Sequence, residues 1–405
     1  MVVASTSAAA RRRAHPGLLR LLTAVPLCDG HDSAVVTINL ELARSGVEVI
    51  YLGYHCAASA IARAAVQEDV HAVGLSSYNG GHRVFFREVL AQLRARGAGD
   101  IPVFGGGGGT ITPADARAMK RDGVDRIFFA GTPLADIIAA VKGGYARELS
   151  ASARLRGDRA LGRAITLSEN GMRGPGGSRG ARRAGAAGRA FVVGVAGPGG
   201  AGKSTLIDEL TSRFLRRESD GRLAILANNP SHPASGGAVL GDRVSAIYSQ
   251  DDRVFFRSMA TRGSLTGLSP AAPAAIASLR AGGGFDLVFV ESVGIGQEGD
   301  PFGVFGRGPR LADAVLFVLA PHYGGRIQLQ KIAMLNGADL VALNKCDDPM
   351  AHAARAEVAA RLASNGRDQV LHTTVAARHH DGGVDHLYTA IAQLAGLETV
   401  ASVAR

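Results

Sequence analysis

At 405 residues, 46% hydrophobic and 20% charged, the chain has material for two domains with cores of their own, at the usual roughly 100–200 residues per domain. Cys28, Cys56 and Cys346 are too few and too scattered for a disulfide framework or a zinc knuckle, and a cytoplasmic protein is expected. The formal charge of +10 sits in residues 1–20 (+4) and 151–190 (+7), and no apolar run reaches a membrane span, so neither nucleic acid nor membrane is an expected partner.

Residues 1–16, with Arg11, Arg12 and Arg13 and no acid, read as a basic tail. From 17 to 150, β-rich runs at 18–25, 47–52, 72–76, 102–104 and 126–129 alternate with helical spacing. Strands separated by helices imply right-handed crossovers and a parallel sheet, here a flavodoxin-like five-stranded α/β domain. Residues 151–190 are rich in Gly, Arg and Ala and read as a linker, within which 160–169 can form a short helix packed on the next domain. From 191 to 405 a second α/β alternation begins, with strands expected at 191–196, near 223–227, and at 287–291, 314–319 and 340–343.

The run G-P-G-G-A-G-K-S at 197–204 fits the phosphate loop G-x-x-x-x-G-K-[ST] between a strand and a helix. Backbone N–H groups of Gly199, Gly200, Ala201, Gly202 and Thr205 would surround phosphate oxygens, Lys203 would balance their charge, and the Ser204 hydroxyl would ligate Mg²⁺. Asn344, Lys345 and Asp347 form N-K-x-D after an apolar strand. A carboxylate there accepts from the guanine ring N–H and amine, a donor pair that adenine lacks, so a P-loop GTPase domain is expected. Glu291 begins E-S-V-G at a strand tip facing the metal and the γ-phosphate.

Three loops of the first half fall at one sheet edge, where open α/β folds bind ligands. They are D-G-H-D-S-A at 29–34, S-S-Y-N-G-G-H at 76–82 and the glycine run at 105–109. This set resembles the cobalamin-binding domain of the acyl-CoA mutases. The resemblance implies that His31 is the lower cobalt ligand, with Asp29 holding its other nitrogen. Gly30, Asp32, Ser33, Ser76, Ser77, Tyr78, Gly105, Gly106, Gly107, Gly131 and Thr132 would then line the path of the cofactor's nucleotide tail, the glycines giving a planar base close approach. Ala34 stands where the general pattern has Gly, and Tyr78 where it has Leu. With S-G-G-A-V-L-G-D at 235–242, R-S-M-A-T-R-G at 257–263, E-S-V-G-I-G-Q at 291–297 and Q-K-I-A-M-L at 330–335, residues 17–395 resemble the fused isobutyryl-CoA mutases. In that family a cobalamin domain and a methylmalonyl-CoA-mutase-associated GTPase chaperone domain precede a substrate barrel.

The resemblance implies adenosylcobalamin, GTP and Mg²⁺ as cofactors. Lys203, Asp242 and Glu291 would be catalytic, with Ser204, Asp242 and Glu291 on the metal. The sequence ends where the barrel would begin, so isomerisation is expected to need a separate barrel subunit, and a homo-oligomer is expected. The alternatives are a stand-alone cobalamin-sensing or cobalamin-delivering GTPase switch, or a truncated fused mutase. Asn229, Ala234 and Ser245 replace one carboxylate and two cations of the family pattern, which points to slow hydrolysis unless His232 or Arg243 substitutes for the missing charges.

Overall fold

The computed structural model describes residues 18–27, 29–30, 33–147, 150, 152, 154–172, 190–294, 299–306, 308–323 and 333–397. The basic tail and most of the glycine-rich part of the linker lie outside them.

The first domain alternates β1 (Arg20–Ala24), α1 (Ser33–Arg44), β2 (Glu48–Tyr51), α2 (Ala58–Gln67), β3 (Ala72–Ser76), α3 (His82–Ala95), β4 (Val103–Gly106), α4 (Pro113–Asp122), β5 (Arg126–Phe128) and α5 (Leu134–Tyr145). Its central strands bury both faces: Leu22, Ile50 and Val73 pack on one side, and Leu21, Val49 and Ala72 on the other. Covering by helices on both sides explains why such strands are apolar without alternation.

The second domain holds β6 (Phe191–Ala196), α7 (Lys203–Arg217), β7 (Leu223–Asn229), β8 (Ala238–Leu240), β9 (Val254–Ala260), α8 (Ala272–Gly282), β10 (Leu287–Glu291), β11 (Ala314–Leu319), α9 (Ala333–Gly337), β12 (Leu340–Leu343), α10 (Ala351–Ala363), β13 (Leu371–Thr373) and α11 (Gly382–Ala395). Its seven-stranded sheet runs β13-β12-β11-β6-β10-β7-β9, parallel throughout.

One strand crosses over. The first sheet has six strands, β5-β4-β3-β1-β2-β8, because Ala238, Val239 and Leu240 pair in parallel with Glu48, Val49 and Ile50. The sequence expectation of five strands misses β8, since three residues between glycines carry no period to read. Helix α6 (Gly157–Glu169), inside the stretch read as linker, packs between α2 and α8, with Leu161 and Ile165 in the second domain's core. A Cβ on Gly162 would come within 2.8 Å of the Gln67 carbonyl, so α6 touches α2 through bare backbone.

Between the domains lies a buried ionic cluster. The Arg20 guanidinium reaches Glu48 at 2.5 Å and Glu68 at 2.9 Å, Arg243 reaches Glu68 at 2.8 Å, Arg257 pairs with Glu169, and Arg262 reaches Glu48 at 2.9 Å. The Arg20, Glu48, Glu68, Arg257 and Glu169 side chains are at most 1% exposed. Burial alone would raise the Glu169 carboxyl, and Arg257, Arg20 and Arg262 together hold it below the usual carboxylate range. Both Glu68 oxygens also accept from the Ser258 N–H, at 3.0 and 3.1 Å. Part of the charge assigned from sequence to tail and linker is therefore spent internally: Arg20 in this cluster, Arg159 on Asp100 and Arg163 on Asp69.

Candidate functional site

In the second domain the phosphate loop leaves β6 and enters α7 at Lys203. Gly200 and Gly202 take left-handed φ values of +74° and +88°. The buried Lys203 ammonium donates to the Gly197 and Pro198 carbonyls, both at 3.1 Å, and burial lowers its pKa. Because β10 lies beside β6, Glu291 meets the loop: the Ser204 hydroxyl donates to Glu291 Oε1 at 2.8 Å. Strand β7, on the far side of β10, contributes two amides. Asn228 Nδ2 donates to the Glu291 carbonyl at 2.8 Å, and Asn229 Nδ2 donates to Asp242 Oδ2.

The carboxylates are under strain of charge. Burial, then the charge of Asp242, pushes Glu291 up to about 7 against the Ser204 hydrogen bond. Burial also pushes Asp242 to about 6, with Glu68 adding and the Asn229 amide opposing. A desolvated carboxylate on the Ser204 hydroxyl, with the charge of a second, Asp242, acting on it, is a donor set that a divalent cation would relieve. Ser204, Asp242 and Glu291 thus fit Mg²⁺.

The N-K-x-D loop follows β12. Asn344 is buried, Lys345 has φ +60°, and Asp347 is exposed. Asn344 Nδ2 donates to the Ala201 carbonyl at 3.0 Å, while its Oδ1 accepts from Thr374 Oγ1 at 3.1 Å and from the Ala376 N–H at 3.0 Å. One amide therefore ties the N-K-x-D loop to the phosphate loop and to the segment after β13. Sequence reasoning missed Thr374 and Ala376, along with Arg378, 4.0 Å from Asp347, and Tyr323, whose hydroxyl donates to the Gly199 carbonyl at 3.1 Å. None of them carries a motif; a short strand after N-K-x-D was the one available signal.

In the first domain the expected cobalamin loops converge at the carboxyl ends of β1, β3, β4 and β5. His31 and Asp32 lie outside the described residues. Asp29 is 2% exposed and accepts from the Tyr78 N–H, so the β1 and β3 loops are joined. Ser76 pairs with Gly106, and the buried Ser77 donates its N–H to the Gly106 carbonyl at 2.9 Å. Ser33 opens α1, and Thr132 turns back to the Phe129 carbonyl at 2.8 Å.

The glycine run answers to protein neighbours. A Cβ on Gly105 would lie 2.3 Å from the Leu75 carbonyl, on Gly107 2.1 Å from the Ser77 carbonyl, and on Gly108 1.9 Å from the Tyr78 ring. The resemblance assigned that bareness to an approaching base; here it also accommodates the Leu75 and Ser77 carbonyls and the Tyr78 ring. Around Gly30 and Gly131 a Cβ would meet no other described residue within 4 Å. The buried, anchored Asp29 carboxylate fits a hydrogen-bond partner for an imidazole presented by the β1 loop.

These features define a P-loop GTPase fold joined to a flavodoxin-like α/β domain. Residues 161–402 match the family "Methylmalonyl Co-A mutase-associated GTPase MeaB", and residues 19–138 match the "B12 binding domain". The chain belongs to the MeaB family of methylmalonyl-CoA mutase-associated GTPases, and carries a B12-binding domain ahead of it. It is 37% identical to a fused isobutyryl-CoA mutase of Cupriavidus metallidurans over 95% of this chain, and 39% identical to one from Nocardia farcinica over 93%. It spans 37% and 36% of those relatives' lengths. Over 31% of this chain it is also 34% identical to the 2-hydroxyisobutanoyl-CoA mutase small subunit of Aquincola tertiaricarbonis, covering 90% of that protein. Among the described residues no helix is long and apolar enough to cross a membrane.

Proposed function

We propose that this chain is the cofactor-carrying and nucleotide-binding portion of a cytoplasmic acyl-CoA mutase, holding adenosylcobalamin through His31 and Mg²⁺-GTP at the phosphate loop. The observation that carries the reading is the occurrence in one chain of both matches, 19–138 and 161–402, each with its ligand-side loops at the carboxyl edge of its own sheet. The corrin would supply homolysis of its cobalt–carbon bond. The chain's own residues bind and orient: Asp29, fixed by the Tyr78 N–H, would hold the His31 imidazole, and the loops at Gly30 and Gly131 would admit the tail. A substrate barrel, on the same polypeptide or as a separate subunit, completes the enzyme, and the assembly is a homo-oligomer. GTP binding would gate cofactor loading.

Two tests address the two ligands. Added cobalamin is expected to give a base-off, histidine-ligated absorption spectrum that changes in His31→Ala; identical spectra would remove His31 from the cobalt. GDP is expected to bind at least ten-fold more tightly than ADP, about 1.4 kcal/mol, with the preference lost in Asp347→Asn. Equal affinities in the wild type would refute a guanine site.

Hydrolysis is proposed to be slow. Asn229 supplies an amide where the family pattern has a carboxylate, and Ala234 and Ser245 are exposed and uncharged. Arg243 does not compensate, because its guanidinium is committed to Glu68, Gln67 at 3.0 Å and the Phe256 carbonyl at 2.6 Å. The exposed His232 instead accepts from the Ser235 N–H at 3.3 Å. Countering charge on the γ-phosphoryl oxygens governs such turnover. In single-turnover assays Asn229→Asp with Ala234→Lys and Ser245→Arg is expected to hydrolyse GTP at least ten-fold faster than the wild type, and an unchanged rate would show the three departures to be harmless.

A further inference from the structure

The segment that carries Asp242 belongs physically to the first domain. Ser235 Oγ donates to the Ala43 carbonyl at the end of α1, at 2.7 Å. A Cβ on Gly237 would lie 2.2 Å from that same carbonyl, so the segment lies against α1 through bare backbone. β8 then pairs with β2, and two residues after Leu240 comes Asp242, at the start of a 3₁₀ turn Asp242–Val244. The next residue, Arg243, is 9% exposed. Its Nε donates to Glu68 Oε1 at 2.8 Å and its Nη2 to Gln67 Oε1 at 3.0 Å, both at the end of α2. On its other side Val244 approaches the position a Gly53 Cβ would take, at 3.4 Å.

We propose that the first domain completes the nucleotide site: Gln67 and Glu68 clamp Arg243, and Arg243 is the positioning residue that fixes Asp242, the partner of the Asn229 amide, on the metal side of that site. The proposal rests on the reading of Ser204, Asp242 and Glu291 as the Mg²⁺ side of a GTP site. Phosphoryl transfer depends on groups held in place before reaction, so a residue locking the metal-side carboxylate acts on turnover and on metal requirement. Ground-state binding rests on other groups, the phosphate loop and N-K-x-D. The same connection makes the end of α2 sense the nucleotide, because Asp242 and Arg243 are adjacent in the chain.

The test uses the full chain. Arg243→Lys keeps a cation toward Glu68 and loses the fork to Gln67 and Phe256. It is expected to lower single-turnover GTP hydrolysis at least ten-fold and to raise the Mg²⁺ concentration needed for half-maximal rate several-fold. GDP affinity without Mg²⁺ should stay within three-fold of wild type. Gln67→Met, which keeps the volume and leaves the Glu68 ion pairs, is the second arm and should shift rate and metal requirement the same way. Hydrogen exchange on the wild type needs no variant: Mg²⁺ with a non-hydrolysable GTP analogue is expected to slow exchange in residues 64–71 as well as 238–246. Folded variants with wild-type rate and metal requirement, or exchange changes confined to the phosphate loop and residues 291–294 and 344–347, would overturn the proposal. A wild type that binds no guanine nucleotide would overturn the underlying reading, and the proposal with it, before any variant is compared.

Discussion

Glu68→Ala is expected to destabilise the protein by about 3–5 kcal/mol, the range for breaking a buried ion pair by removing one partner. Glu68 has a completely buried side chain and takes Arg20 Nη2 at 2.9 Å, Arg243 Nε at 2.8 Å and the Ser258 N–H. Arg257 also lies 3.9 Å from it. Removing the carboxylate leaves cations from both domains desolvated and repelling one another, with Glu48 and Glu169 as their remaining buried counter-ions. The control is Arg44→Ala. Arg44 pairs with Glu41 at 3.4 Å on the surface, 66% and 39% exposed, where solvent screening holds a pair to about 0–1 kcal/mol. Urea unfolding of both variants decides the matter: a Glu68→Ala loss no larger than the control's would mean that the cluster is well hydrated or readily rearranged.

Gly202→Ala is expected to weaken GDP binding at least 100-fold, about 2.7 kcal/mol. Two costs combine at this residue. Its φ of +88° lies in the left-handed region, which costs an L-residue roughly 1–2 kcal/mol. Its new Cβ would also sit 2.4 Å from Asn344 Nδ2, the atom that holds the Ala201 carbonyl. To make room, Asn344 must move, and the phosphate and guanine loops lose their shared hydrogen bond. Gly200→Ala separates the two effects, since Gly200 has φ +74° but, among the described residues, no neighbouring atom within 4 Å of its Cβ. It should lose only about ten-fold, close to the strain alone. Fluorescent-GDP titration of both variants, with melting curves to confirm folding, tests the difference; equal losses would show that the Asn344 contact does not matter.

By itself the sequence determined the two α/β domains, the phosphate loop, the N-K-x-D loop and the three first-domain loops at one sheet edge that carry the resemblance. These are legible because each is a contiguous run between a strand and a helix, so its chemistry and its placement at the sheet's carboxyl edge are written in neighbouring residues. The predicted strands 191–196, 287–291, 314–319 and 340–343 coincide with β6, β10, β11 and β12, since long buried apolar runs leave little freedom at their ends. Tertiary structure alone decided the rest. Arg20, Glu48 and Glu68 look in sequence like solvated charges, yet they are buried because their partners arrive from far along the chain, Ser258 meeting Arg20 across 238 residues. Likewise β8 is too short to carry a pattern, and it becomes a strand because β2 offers it an open edge. Glycines 105 to 108 signalled a close approach, which the resemblance gave to a planar base, and only the fold brought the carbonyls of Leu75 and Ser77 and the ring of Tyr78 against them. A local motif is fixed by its own residues, whereas a buried charge, an edge strand or a bare backbone contact is fixed by a partner that folding brings to it.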